Sequence, residues 1–127
     1  MIPTYVFDTG ACVGVERRKA RATRFVRLAQ VGLARIVIPL ATLPEWWRGR
    51  TDVREDLLAA ARIDTSIAAA KAAGAALEGL RRVDASLTID AVVVATAALL
   101  DGIVVTSDPD DLARLVVRFP GVRLLTV

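Results

Sequence analysis

Short apolar blocks alternate along this chain with longer stretches whose apolar positions recur at helical spacing. Thr4–Phe7, residues 35–38, Ile103–Thr106 and residues 122–126 are compact runs bounded by turn or breaker residues, and they read as strands. Pro39 stops the second of them. Between the strands, Thr9-Gly10-Ala11 opens a turn into a helix. Residues 17–32 place Ala22, Phe25, Val26, Leu28 and Ala29 on one helical face, with Gly32 as C-cap. Thr42 stands as N-cap of a helix carrying Glu45 at the capping-box position. Residues 52–62 form a helix with Leu57, Leu58 and Ala61 inward, and residues 66–80 an alanine-rich helix interrupted by Gly74. Thr88 caps a largely buried helix over 89–100 that Gly102 ends, and residues 109–117 form a helix begun at Asp108. The order β-α-α-β-α-α-α-α-β-α-β predicts an α/β fold, a small parallel sheet sandwiched by helices. Residues 1–127 read as a single domain without repeat, linker or low-complexity tail.

This organisation gives meaning to four acids. Asp8 follows Thr4–Phe7, Glu45 follows residues 36–38, Asp90 lies inside residues 88–98, and Asp108 follows Ile103–Thr106. Strand ends of a parallel sheet share one edge, where open α/β folds hold their ligands. Carboxylates gathered there repel one another unless a hard divalent cation neutralises them, which points to Mg²⁺ or Mn²⁺ chemistry on a phosphate ester. Mg²⁺ takes about six oxygens and keeps several waters, so two or three carboxylates suffice for one ion. Asp8 and Asp90 are the most direct ligands, and Asp108 binds metal or holds its water. A second ion about 3.5–4 Å away would clamp the scissile phosphate. Each acid also has a plainer use: Asp8 as a turn cap, Glu45 as a capping-box residue, Asp108 as an N-cap before Pro109. Asp90, in the first turn of an otherwise apolar helix, is the hardest to explain as structure alone, although the helix dipole would help it. Taken jointly, the four favour the metal site.

Composition narrows the chemistry. The 127 residues contain no histidine and one cysteine, so serine-type triads, His-ligated zinc and an internal disulfide are excluded. A lone Cys12 fits a reducing cytoplasm and a small buried hydrophobe. The apolar fraction is 54%, yet no run approaches the roughly 20 residues that cross a bilayer, and no secretory signal is evident. Seventeen basic residues stand against fourteen acidic ones, and six of the bases crowd residues 17–27. Arg17, Arg21 and Arg24 fall on one side of that segment, where they suit RNA phosphates or a protein partner. Trp46 and Trp47 could stack a base, but at this apolar density at least one belongs to packing.

Val6-Phe7-Asp8-Thr9-Gly10-Ala11 resembles the opening strand and first acid of PIN-domain nucleases. Residues 88–97 (Thr-Ile-Asp-Ala-Val-Val-Val-Ala-Thr-Ala) resemble their third-acid helix, and residues 104–112 (Val-Val-Thr-Ser-Asp-Pro-Asp-Asp-Leu) their fourth-acid turn. Pro44-Glu45-Trp46-Trp47-Arg48-Gly49 takes the place of the second acid, in a form similar to bacterial VapC-like members. The resemblance implies a PIN-like three-layer α/β/α sandwich and a metal-dependent, single-strand-specific endoribonuclease. It also implies the toxin half of a type II toxin–antitoxin pair, dimeric and neutralised by a small antitoxin. Asp8, Glu45, Asp90 and Asp108 would be the acidic quartet and Asp111 a fifth contributor, while Thr106 and Ser107 would orient the fourth acid or a metal-bound water. Competing expectations are an RNA-processing or DNA-directed PIN nuclease without antitoxin, and a silent PIN module that only binds. A haloacid-dehalogenase-like phosphatase is disfavoured because Gly10 stands where its second Asp belongs.

Overall fold

The computed structural model describes residues 1–48 and 52–127. Strands β1 (Thr4–Phe7), β2 (Arg35–Pro39), β3 (Ala61–Asp64), β4 (Ile103–Thr106) and β5 (Arg123–Thr126) form a parallel sheet in the order β3-β2-β1-β4-β5. Parallel neighbours need crossovers. These are built from α1 (Thr9–Glu16), α2 (Ala20–Gln30), α3 (Leu43–Trp46), α4 (Asp52–Ala60), α5 (Ile67–Leu77), α6 (Ala85–Leu100) and α7 (Ala113–Val116).

Side chains alternate across the sheet and separate two cores. Val6, Val37 and Val104 pack with Ala73 of α5 and Ala91 and Val94 of α6. Phe7, Ile36, Ile38 and Val105 pack on the opposite face with Cys12 of α1, Phe25 of α2 and Leu57 of α4. The expected α/β/α sandwich is therefore the observed one. The chain leaves β1 toward β2 and β3, then returns through α5 and α6 to β4 on β1's other side. That reversal opens a crevice at the carboxyl ends of β1 and β4, the place where such sheets bind ligands.

Several local expectations are corrected. Residues 52–62 are not one helix: α4 stops at Ala60 and Ala61–Asp64 becomes the edge strand β3, paired with β2. The expected helix over 17–32 starts only at Ala20, because Arg18 turns the chain at φ +56°. Gly32, at φ +77°, does follow the helix end, where a left-handed residue without a Cβ is needed. Gly74 does not interrupt α5, since its position opens onto empty space and the helix runs through it. The buried helix begins at Ala85, not at Ile89. Asp84 is its N-cap, accepting the Leu87 N–H at 2.8 Å, while the Thr88 hydroxyl donates back to the Asp84 carbonyl. The segment after Asp108 is a 3-10 turn over Pro109–Leu112 followed by α7.

Candidate metal centre

β1 ends in Phe7, and the next residue carries the first acid into the crevice. The Asp8 N–H still donates to the Val105 carbonyl at 3.2 Å, which ties this residue to β4. Its Oδ1 accepts the Ala11 N–H at 2.8 Å and so caps α1. The plainer use of Asp8 is thus real and coexists with its place in the cluster. Only 7% of the residue is exposed. Burial raises its carboxyl pKa above the ordinary value; hydrogen bonds from Thr106, Ala11 and Gly10 oppose the rise, and the Glu45 charge adds to it.

Thr106, fully buried at the end of β4, links two acids. Its Oγ1 accepts the Asp108 N–H at 3.1 Å, and the same hydroxyl lies near enough to the Asp8 carboxylate to favour its charged form. The turn carrying Asp108 is thereby held beside the first acid.

Asp90 arrives from the other core layer. Because α6 runs toward the start of β4, its N-terminal half lies at the same sheet edge as Asp8. With Asp84 as N-cap, Asp90 sits in the second turn and not the first, so the helix terminus gives it less relief than the sequence suggested. Burial, followed by the charges of Asp8, Glu45, Asp111 and Asp84, pushes Asp90 up to about 7. Asp8, Glu45, Asp111 and Asp84 thus all lie near enough for their charges to act on Asp90.

Glu45 and Asp108 lose their structural alibis. Thr42 makes no side-chain cap, and its fully buried hydroxyl has no hydrogen-bond partner, so no capping box employs Glu45. Asp108 makes no side-chain cap either, although Pro109 does take the first position of the turn. Asp8, Glu45 and Asp90 form the inner group. Asp108 and Asp111 are exposed at the mouth, and the Asp108 charge is the main cause of a raised Asp111 pKa. Among the described residues, no three acids are drawn together tightly enough to hold an ion as they stand, and none of these five is ion-paired. An all-oxygen donor set without a cationic partner among the described residues suits a hard divalent cation. The donor chemistry therefore fits Mg²⁺ or Mn²⁺.

Elsewhere, Arg17 closes the end of α1, and Arg21 and Arg24 are exposed on α2, with the Arg24 guanidinium 5.3 Å from the Phe25 ring centre. None of the three is ion-paired among the described residues. Trp46 is buried and meets Trp47 edge-on, ring centres 5.7 Å apart, which assigns Trp46 to packing. Cys12 is fully buried, and burial, then the Asp8 charge, pushes its thiol pKa well up, so it is an inert core residue. A partly buried ion pair, Arg54 Nε to Glu16 Oε1 at 2.6 Å, fixes α4 to the far end of α1. Neither this pair nor the Thr106 link is legible in the sequence, since both join residues distant along the chain.

The family model for the PIN domain matches residues 5–117. Among solved structures, the fold resembles a chain of the Rickettsia felis VapBC2 complex bound to a promoter DNA fragment, with TM-score 0.67 and 20% identity over 98% of each chain. It also resembles a chain of a Klebsiella pneumoniae toxin–antitoxin complex, with TM-score 0.64 and 21% identity over 93% of this chain and 94% of that one. No curated protein sequence matches.

Proposed function

The chain belongs to the PIN domain family, and from that premise we propose that it is a Mg²⁺- or Mn²⁺-dependent, single-strand-specific endoribonuclease, the toxin of a VapBC-like type II toxin–antitoxin pair. What supports this reading is the placement of Asp8, Glu45 and Asp90 near one sheet edge, within reach of one another's charge and with no ion pair to any of them among the described residues. Nothing about stability requires such a cluster. Half-buried like charges are held together against their repulsion, which is tolerable for a site that works with a cation in place.

Asp8 and Asp90 would hold the ion, with Glu45 beside them and Asp108 and Asp111 at the mouth. When bound, the divalent cation supplies charge neutralisation and Lewis acidity toward a phosphodiester. The chain's own groups do the rest. Thr106 fixes the orientation of the Asp8 carboxylate and the position of Asp108. The high pKa of Asp90 lets a carboxyl in the metal-free site keep its proton near neutrality and release it when a cation arrives. Ser107 and Asp108, both exposed, stand where they could orient the attacking water. Arg17, Arg21 and Arg24 would contact RNA phosphates, which sets orientation without reading sequence.

The antitoxin reading is supported by a groove of about 510 Å³ between α2 and α4. Val15, Val26, Val53 and Leu57 wall it, and Arg18, Arg27 and Asp56 edge it. An amphipathic segment with acidic flanks would suit that lining. Exposed Val31, Leu33 and Leu40 are compatible with a homodimer. Among the described residues no helix is long and apolar enough to cross a membrane, and a cytoplasmic setting fits the proposal.

The test is cleavage of a mixed single-stranded RNA pool with Mg²⁺, Mn²⁺ or EDTA, beside the Asp8→Asn, Asp90→Asn double variant. Metal-dependent cutting is expected from the wild type and none from the variant. Equal cutting by both would assign the activity to a contaminant. Metal binding with no cutting would favour the silent module.

A further inference from the structure

Gly10 stands in the first turn of α1, two residues past Asp8, and its missing side chain leaves a space that another residue fills. A Cβ placed there would lie 2.1 Å from Ser107 Oγ, 3.2 Å from Ser107 Cβ and 3.4 Å from Asp8 Oδ1. No real Cβ tolerates the first of these approaches. The space in front of Gly10 is therefore occupied by a hydroxyl from the β4 turn, and the Asp8 carboxylate borders the same small volume.

Glycine is not needed here for backbone freedom, because Gly10 is absent from the residues with positive φ. As an ordinary helical position it would be about 0.5–1 kcal/mol more stable with alanine. The reason for glycine is the close approach. Ser107 sits between Thr106, whose hydroxyl neighbours Asp8, and Asp108, whose N–H that hydroxyl binds. Its backbone is thus held on both sides, and the empty Cβ position of Gly10 admits the rotamer its side chain takes. With a Cβ at position 10, the cheap response is a swing of the Ser107 hydroxyl to another staggered rotamer. Stability hardly changes, but the hydroxyl leaves the carboxylate's side.

We propose that Gly10 is a positioning residue that acts through Ser107: by leaving its Cβ position empty it seats the Ser107 hydroxyl beside Asp8, where the hydroxyl binds a water or phosphate oxygen at the acid cluster. The inference rests on the metal-nuclease reading and adds to it a specific pair. It requires two substitutions at different places to produce one effect.

The experiment is a double-mutant cycle of Gly10→Ala and Ser107→Ala on the full chain, with three readouts. These are the Mn²⁺ dissociation constant by titration calorimetry, kcat and KM for RNA cleavage, and the thermal midpoint in EDTA. Ser107→Ala removes the hydroxyl; Gly10→Ala displaces it. Each single variant, and the double variant too, is expected to bind Mn²⁺ about tenfold more weakly, the usual size of losing a group that orients a metal's surroundings. The fall in turnover should lie in kcat with KM little changed. The thermal midpoint of Gly10→Ala should stay level or rise, which a merely structural role would not give.

Losses that multiply in the double variant would overturn the proposal, because the two positions would then act separately. So would a Gly10→Ala protein with wild-type affinity and kcat. A Gly10→Ala variant whose losses track a fallen thermal midpoint would reduce Gly10 to packing and also overturn it. Failure of the underlying reading looks different: the wild type itself would neither bind Mn²⁺ nor cleave RNA.

Discussion

Replacing Asp90 with asparagine should stabilise the metal-free protein while removing its activity, and the gain should grow with pH. In the folded chain burial and the neighbouring acids raise the Asp90 pKa from 3.8 to about 7. At about 1.36 kcal/mol per pH unit, the face value of that rise is roughly 4 kcal/mol. Solvent reaches the half-buried side chain and screens it, which reduces the figure to about 1–2 kcal/mol. The sign follows from proton counts. Below pH 3.8 both folded and unfolded forms are protonated and nothing is lost. Between pH 3.8 and 7 the unfolded chain gives up its proton and the folded chain keeps it, so stability falls as pH rises. Above 7 the loss is complete. Asparagine keeps the shape and stays neutral throughout. The assay is thermal unfolding in EDTA at several values from pH 4 to pH 8, wild type beside Asp90→Asn. The variant should match the wild type near pH 4 and exceed it by roughly 3–8 °C at pH 8, the span that 1–2 kcal/mol gives for a domain of this size. Added Mn²⁺ should narrow the gap by stabilising the wild type. A constant difference across the pH range, or a less stable variant at pH 8, would refute the account of Asp90 as a charge held under repulsion.

Other sites give further expectations. Thr106→Val keeps the shape but removes the hydroxyl that favours the charged Asp8 carboxylate and leaves the Asp108 N–H without its acceptor. A loss of about 1–3 kcal/mol in stability is expected, measured by urea unfolding. Mn²⁺ affinity should fall with it, and an unchanged affinity would sever Thr106 from the site. Arg54→Ala leaves Glu16 half-buried without its partner and should destabilise the fold by about 3 kcal/mol. Replacing both residues should recover part of that loss, and a purely additive double variant would contradict the pairing. Arg21→Ala combined with Arg24→Ala should flatten the salt dependence of RNA binding by roughly one to two counterions, with kcat unaltered. An unchanged salt slope would move the RNA path elsewhere.

What could be read from the sequence depended on whether the signal was local. Thr4–Phe7 and Ile103–Thr106 were legible because an unbroken apolar run between turn residues has few other uses, and their acids came with them. Ala61–Asp64 was not. An edge strand of four residues with Arg62 exposed carries little apolar content, and the helical pattern ahead of it ran on across the boundary. The first turn of α6 was missed for a similar reason. Ala85 and Ser86 are exposed and add nothing to an apolar period, so Thr88 drew the cap that Asp84 makes. At the site, the residue types and their edge were predictable from position in the α/β order. The link from Thr106 to Asp8 and the fit of Ser107 against Gly10 were not, since each joins residues roughly 100 positions apart. Only the folded backbone brings them into contact.

The strand order has a consequence in time. β1 lies at the centre of the sheet and takes its second partner, β4, from the far end of the chain. Asp8 and Glu45 therefore leave the ribosome long before the residues that hold them in place. At ~5–20 residues per second, the stretch from Asp8 to Thr106 takes roughly 5–20 s to be made. For most of that interval the nascent chain carries the first acids without the Asp90 helix, and throughout it lacks the Thr106 hydroxyl. The acids are brought together only once β4 has emerged, so a product cut short before Ile103 displays no assembled cluster. The strand order itself sets that delay.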